Sequence, residues 1–209
     1  MKHLIHNIDK YISSVVRNYN ENTDLDLDSK NNIILGLSGM YGNIEEVKEL
    51  VECIGTLTTN DLDVGDAYYT KTDGEPSLKK FMVNEARLRQ ANESRGRMKN
   101  EIDRLLEAVT GTPEKDSNKR VTNIDSFSAL MDRLSTERIK EYNFKHKQNK
   151  LEEAEHQANV VDVILDKILL LFNEVNYYGG YDYVSEKRTF DENKLIKDVS
   201  QVLKEFKND

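Results

Sequence analysis

The chain has 209 residues and a formal net charge of −8, with 33% charged and 37% hydrophobic residues, two prolines, ten glycines and no tryptophan. An acidic balance of this size excludes a general nucleic-acid binder, because neutralising phosphates takes a basic surface, although a local basic pocket is compatible with it. Sparse proline and glycine with abundant charge favour long amphipathic helices over sheet, and the length suffices for a sizeable core in one large domain or two small ones.

Leu4, Ile8, Tyr11, Ile12 and Val15 recur at helical spacing and predict a first helix that ends before the polar stretch 18–30. The residues before Val16 are interrupted by Asp9 and Lys10, so they make no signal peptide, and no apolar run reaches membrane-spanning length. A soluble cytoplasmic protein without membrane association is expected. A second helix is expected over 32–54, with Gly36, Gly39 and Gly42 spaced by three. Each glycine inside a helix costs about 1 kcal/mol relative to alanine, so three of them call for close approach of a backbone or a ligand. Cys53, the one cysteine, sits among Leu50, Val51 and Ile54 and reads as an apolar packer in a reducing compartment. Gly55 is expected to close this helix, and Thr58 to Asp61 to open a short one that carries Asp63 and Asp66 and stops near Gly74 and Pro76.

The clearest helix follows, with the seam Asn84, Leu88, Ala91, Arg95, Met98, Ile102, Leu105 and Val109. Asn84 and Arg95 are polar members of that seam, and Arg87 lies at its edge. Such residues either set register or face a polar site between helices. The segment 110–120 is polar, contains Pro113 and is the one credible internal boundary. Asp125 or Ser126 then caps a helix with the stripe Phe127, Leu130, Met131, Leu134, Ile139 and Tyr142, and Arg138 falls about 20° from Phe127 on a helical wheel. Residues 145–150 either turn the chain or continue one very long helix. Leu151, Ala154, Ala158, Val161, Leu165, Ile168, Phe172 and Val175 form the last long seam, apolar over a wide arc, which predicts the central helix of a bundle. A tyrosine-rich turn at 177–183 would pack onto the bundle, stack on a base or anchor a partner, and a closing amphipathic helix is expected over 191–206. Lys, Asn, Asp, Ile and Tyr are plentiful, which suits a low-GC bacterium or its phage.

The elements Gly39-Met40-Tyr41-Gly42-Asn43 and Asp63-Val64-Gly65-Asp66, the latter followed by Ala67, Tyr68 and Tyr69, resemble the MazG-like all-α nucleoside triphosphate pyrophosphohydrolases over roughly residues 1–75. In that family a Gly-Glu-x-Gly-Glu element and an acidic helix supply four carboxylates that hold Mg²⁺ on the triphosphate. Met40 and Asn43 stand here where the first two carboxylates would be. Magnesium takes hard oxygen ligands, so the resemblance implies a metal site only if Glu46 and Glu49, one turn on, join Asp63 and Asp66. The other reading of Glu45, Glu46, Glu49 and Glu52 is a solvated acidic face. The resemblance also implies a homo-oligomer, which the long uncovered seams support independently.

The expected architecture is therefore an all-α bundle of about five or six helices, with a MazG-like unit at 1–75 and long antiparallel helices at 78–209 packed on it, or one continuous domain. An arginine in an apolar stripe needs an anion, either an internal carboxylate or a phosphate that its fork can grip. On the second reading Arg87, Arg95 and Arg138 bind the phosphates of a nucleotide. His3 and His6 lack a nearby third ligand, and His156 pairs with Glu152 at the surface. No catalytic residue is legible. Three functions compete: a nucleotide or phosphate binder without hydrolysis, a helical protein-interaction module acting on another protein, and a Mg²⁺-dependent pyrophosphohydrolase with a shifted metal site.

Overall fold

The computed structural model describes residues 1–70, 78–110 and 126–173, and these are all-α, with six helices and no strand. The tyrosine-rich turn, the closing helix at 191–206, Val175, Pro76 and most of the 110–120 segment lie outside the described residues.

Helix α1 spans Lys2–Glu21 and buries Leu4, Ile5, Ile8, Tyr11, Ile12, Val15 and Val16, which fall on one side because they step by three and four. It runs past Asn18, further than the apolar stripe alone predicts, and ends where Asn22 turns left-handed at φ 59° and returns its N–H to Asn18 O at 2.8 Å. Asp26 caps helix α2, Leu27–Tyr41, by accepting from Ser29 N at 2.9 Å and Ser29 Oγ at 2.8 Å. Those hydrogen bonds hold the Asp26 carboxyl below its ordinary range.

The helix expected over 32–54 is thus two helices, broken at Gly42 (φ 76°) and Asn43 (φ 49°). Left-handed backbone at successive positions suits glycine and asparagine better than any other pair. The close approach expected at the three glycines is not found, since an added Cβ would meet nothing within 4 Å at Gly39 or Gly42 and only ordinary contact with Leu4 at Gly36. It is found at Gly55 instead. Helix α3 runs unbroken from Ile44 to Thr70, straight through Gly55, where a Cβ would lie 2.4 Å from Tyr11 Oη. Gly55 is therefore a packing notch for a buried tyrosine and not a helix stop. The same burial, with the charge of Glu52, pushes the Tyr11 hydroxyl up to about 12.

Helix α4, Leu78–Thr110, packs along α3 in the opposite sense, with Asp61 opposite Arg95 and Cys53 near Glu101. Its expected seam is observed, with Ala91, Ile102, Leu105 and Val109 buried. Cys53 is buried and free, and burial raises its thiol, which makes it a packer and a poor nucleophile. Helix α5, Phe127–Tyr142, starts at Ser126, whose Oγ accepts from Ala129 N at 3.2 Å. The chain then leaves the α register in a π turn, Asn143–Lys147, and Asn149 at φ 53° reverses it. Residues 145–150 thus turn the chain. Helix α6, Leu151–Asn173, returns along α5, with Phe127 and Phe172 in edge-to-face contact at 5.4 Å.

The central helix is α3, which packs on α1, α2, α4 and α5, while α6 rests on α5 and α1. The apolar arc of α6 does face the core, with Val161, Ile164, Ile168 and Phe172 buried, but Leu151 at its start and Val163 and Leu170 on the opposite side are more than half exposed, so α6 is covered on one side and is not central. One core cluster draws on all six helices, from Leu4 through Leu50, Leu105 and Leu134 to Phe172. Residues on both sides of the boundary expected near 75–78 contribute to it. Each fully buried Leu, Ile or Phe in such a core contributes about 1.5–3 kcal/mol. Among the described residues no helix is long and apolar enough to cross a membrane.

Candidate functional site

An unbroken α3 decides the fate of the carboxylate set first. Glu46 and Glu49 sit near its start and Asp63 and Asp66 near its end, 14 to 20 residues apart, or about 21–30 Å at the helical rise. Four ligands of one Mg²⁺ must lie about 2 Å from it, so within one chain these four form no common site. The residues present do not fit the metal that the resemblance implies. Among the described residues no group of three or more His, Cys, Asp or Glu side chains is placed to hold a metal ion. Asp63 and Asp66 are engaged otherwise, with Tyr19 Oη 2.8 Å from Asp63 Oδ1 and 3.1 Å from Asp66 Oδ2. Partial burial and these carboxylates raise the Tyr19 hydroxyl well above its ordinary value. At the other end Glu45 pairs with Lys48 at 2.7 Å and Glu52 with Lys30, on an exposed acidic face. Met40 and Asn43 are exposed at the α2–α3 turn.

The arginines expected to grip phosphates are held by carboxylates of the same chain. Arg95 forks onto Asp132, Nε to Oδ1 at 2.5 Å and Nη2 to Oδ2 at 2.8 Å, and its Nε also lies 2.7 Å from Asp61 Oδ1. Arg138 forks onto Asp9 of α1 at 2.7 and 2.6 Å and gives Nη1 to Glu141. Burial by itself would lower both guanidinium groups, and the paired carboxylates more than reverse it. Arg87 is exposed on α4. The phosphate-binding trio does not assemble, because an internal anion was closer at hand for the two half-buried members.

A different basic cluster does assemble, around Arg138. Between α1 and the π turn lies a cleft of about 120 Å³ lined by Ser13, Val16 and Arg17 of α1, Arg138, Glu141 and Tyr142 of α5, and Lys145 and His146 of the π turn. Three basic side chains face one carboxylate there, in a chain whose net charge is −8. The π turn sets this arrangement: its wider coil, closed by Gln148 N to Asn143 O at 3.0 Å, brings Lys145 and His146 to the cleft that Arg17 lines from α1. His146 stacks on Tyr142 with ring centres 4.7 Å apart, and Tyr142 Oη donates to Glu21 Oε1 at 2.7 Å. Burial, then Glu21, lifts the Tyr142 hydroxyl to about 12, so it is a donor at any physiological pH.

Sequence reasoning placed Arg138 in an apolar stripe but missed Arg17, Lys145 and His146. The signal available was the basic run Lys145-His146-Lys147, whose weight depended on the chain turning there. A larger hollow of about 600 Å³ is lined by Asn18, Leu25, Leu27 and the carboxylates of Asp24, Asp26 and Asp28, which repel anions. No known protein family, curated protein or solved structure matches this chain.

Proposed function

We propose that the protein binds a phosphate-bearing ligand in the cleft between α1 and the π turn, with a nucleotide as the ligand class that the sequence resemblance suggests. One observation carries the reading: Arg17, Arg138 and Lys145 converge on one cleft of an otherwise acidic chain. Arg17 and Lys145 are exposed side chains that supply charge and donors, while Arg138, fixed by Asp9 and Glu141, forms a rigid wall. Ser13 and His146 add short-range hydrogen-bonding groups. The cleft is smaller than the roughly 300 Å³ at which small-molecule pockets begin, so it suits one phosphate group, with the rest of the ligand outside over the Tyr142 and His146 rings.

Thermal-shift measurements with inorganic phosphate and a panel of nucleoside mono-, di- and triphosphates test this. Ligand at 100 times its dissociation constant should stabilise the protein by about 2.7 kcal/mol. Arg17→Ala and Lys145→Ala should each abolish that gain while leaving the free protein within about 0.5 kcal/mol of wild type. A flat response across the panel overturns the proposal.

A protein-interaction role is favoured by a second observation. Leu27, Leu35, Met40 and Ile44 leave α2 and the start of α3 with large exposed apolar side chains, Leu35 at 66%. A second copy of the chain would cover them, and light scattering that finds only monomer at high concentration would count against it. A Mg²⁺ pyrophosphohydrolase would need carboxylates from such a second copy, and no hydrolytic step follows from this chain alone.

A further inference from the structure

Asp61 lies where α3, α4 and α5 meet, and its side chain is 4% exposed. The charged groups that face it are Arg95 and Lys99 from α4 and Asp132 from α5, with Ser135 of α5 and Asn60 of α3 beside it. Arg95 Nε has a single proton to give, and it points to Asp132 Oδ1. Asp61 Oδ1 is 2.7 Å from the same nitrogen but off that direction, and neither Asp61 oxygen receives a well-directed hydrogen bond, although the Ser135 hydroxyl stands close enough to favour the ionised form. Lys99 also goes to Asp132, at 3.3 Å, and not to Asp61. Asn60 Nδ2 and Ser135 Oγ are buried without a well-directed hydrogen bond. The junction thus has two carboxylates competing for one guanidinium, and the one that loses is the more deeply buried.

An ionised carboxylate in that position is costly, and the charge of Asp132, which already takes the guanidinium proton, raises the cost further, so protonation of the more buried carboxyl relieves it. We propose that Asp61 keeps its own proton in the folded protein while Asp132 takes the Arg95 fork, so that the junction of α3, α4 and α5 is a pH-responsive latch, closed while the proton is present and loosened when it leaves. Burial is the main cause that lifts Asp61, to about 7, and Asp132 adds to it; Ser135, Arg95 and Lys99 pull the other way. A carboxyl raised in the folded state gives stability that is fully present below its unfolded value near 3.8 and is lost as pH rises through about 7. The latch therefore opens toward alkaline pH, opposite to the usual behaviour of ion-paired carboxylates.

Two measurements on the full chain test it. Between about pH 5.5 and 8 the melting temperature of wild type should fall relative to that of Asp61→Asn by at least about 4 °C, because the amide carries no proton to lose. Parallel profiles overturn the proposal. Carboxyl-carbon NMR of aspartate-labelled wild type should show one side chain with a midpoint between about 6 and 8, and it decides alone if Asp61→Asn does not fold. Midpoints below about 5 for every aspartate overturn the latch.

Discussion

Arg95 and Arg138 were placed alike by the sequence, each an arginine inside an apolar stripe, and each ends up forked onto an aspartate of another helix. Their surroundings differ in the balance of donors to acceptors. Around Arg138 the guanidinium serves Asp9 and Glu141 with separate nitrogens, every carboxylate is satisfied, and additional cations stand nearby. Around Arg95 two aspartates meet one Nε, and one of them is left without a well-directed donor. The same residue type thus makes a rigid wall facing a basic cleft in one place and a proton-dependent junction in the other. The burial of a charge decides less than the count of hydrogen bonds around it.

That contrast is sharpest under truncation. Arg95→Ala leaves two buried carboxylates without their main cation and should cost about 3–5 kcal/mol in urea denaturation at pH 8, and distinctly less at pH 5 where Asp61 is protonated. Arg138→Ala should cost about 2–3 kcal/mol, since Asp9 and Glu141 are nearer solvent, with no comparable relief on going to pH 5. Equal pH dependence in the two variants would erase the distinction drawn between them. The smallest effect is expected of Tyr19→Phe, about 0.5 kcal/mol, because its bonds to Asp63 and Asp66 are exposed; a loss above about 2 kcal/mol would show those carboxylates to be more tightly coupled to the fold than their exposure implies.

Much of the fold was legible because periodicity reports burial directly. The seam of α4 and the stripe of α5 lie where their spacing puts them, and Ser126 caps as its type suggests. Breaks were harder to place, since glycine stops one helix and notches another. Gly42 and Gly55 look equivalent as letters; only the position of Tyr11, 44 residues before Gly55, separates them. Reading Gly55 as a stop split α3, and the split hid two things. It allowed Glu46, Glu49, Asp63 and Asp66 to be imagined as facing each other, and it made Asp61 a cap residue. On a continuous helix Asp61 follows Leu50, Ile54 and Leu57 along the buried side, which marks it as an interior carboxylate. The cleft escaped for another reason: its basic residues come from helices remote in sequence, and the π turn that presents two of them has no periodic signature.

The bonds from Tyr19 to Asp63 and Asp66 have a mechanical meaning. They fasten the last turns of α1 to the turn of α3 that immediately follows Asp61. Arg17 lies two residues from that fastening, and Glu21, two residues on the other side, holds the Tyr142 ring on which His146 rests. Tyr19 thus ties the stretch of α1 that lines the cleft to the turn of α3 that follows the junction, so the two places sit on neighbouring turns of one pair of packed helices.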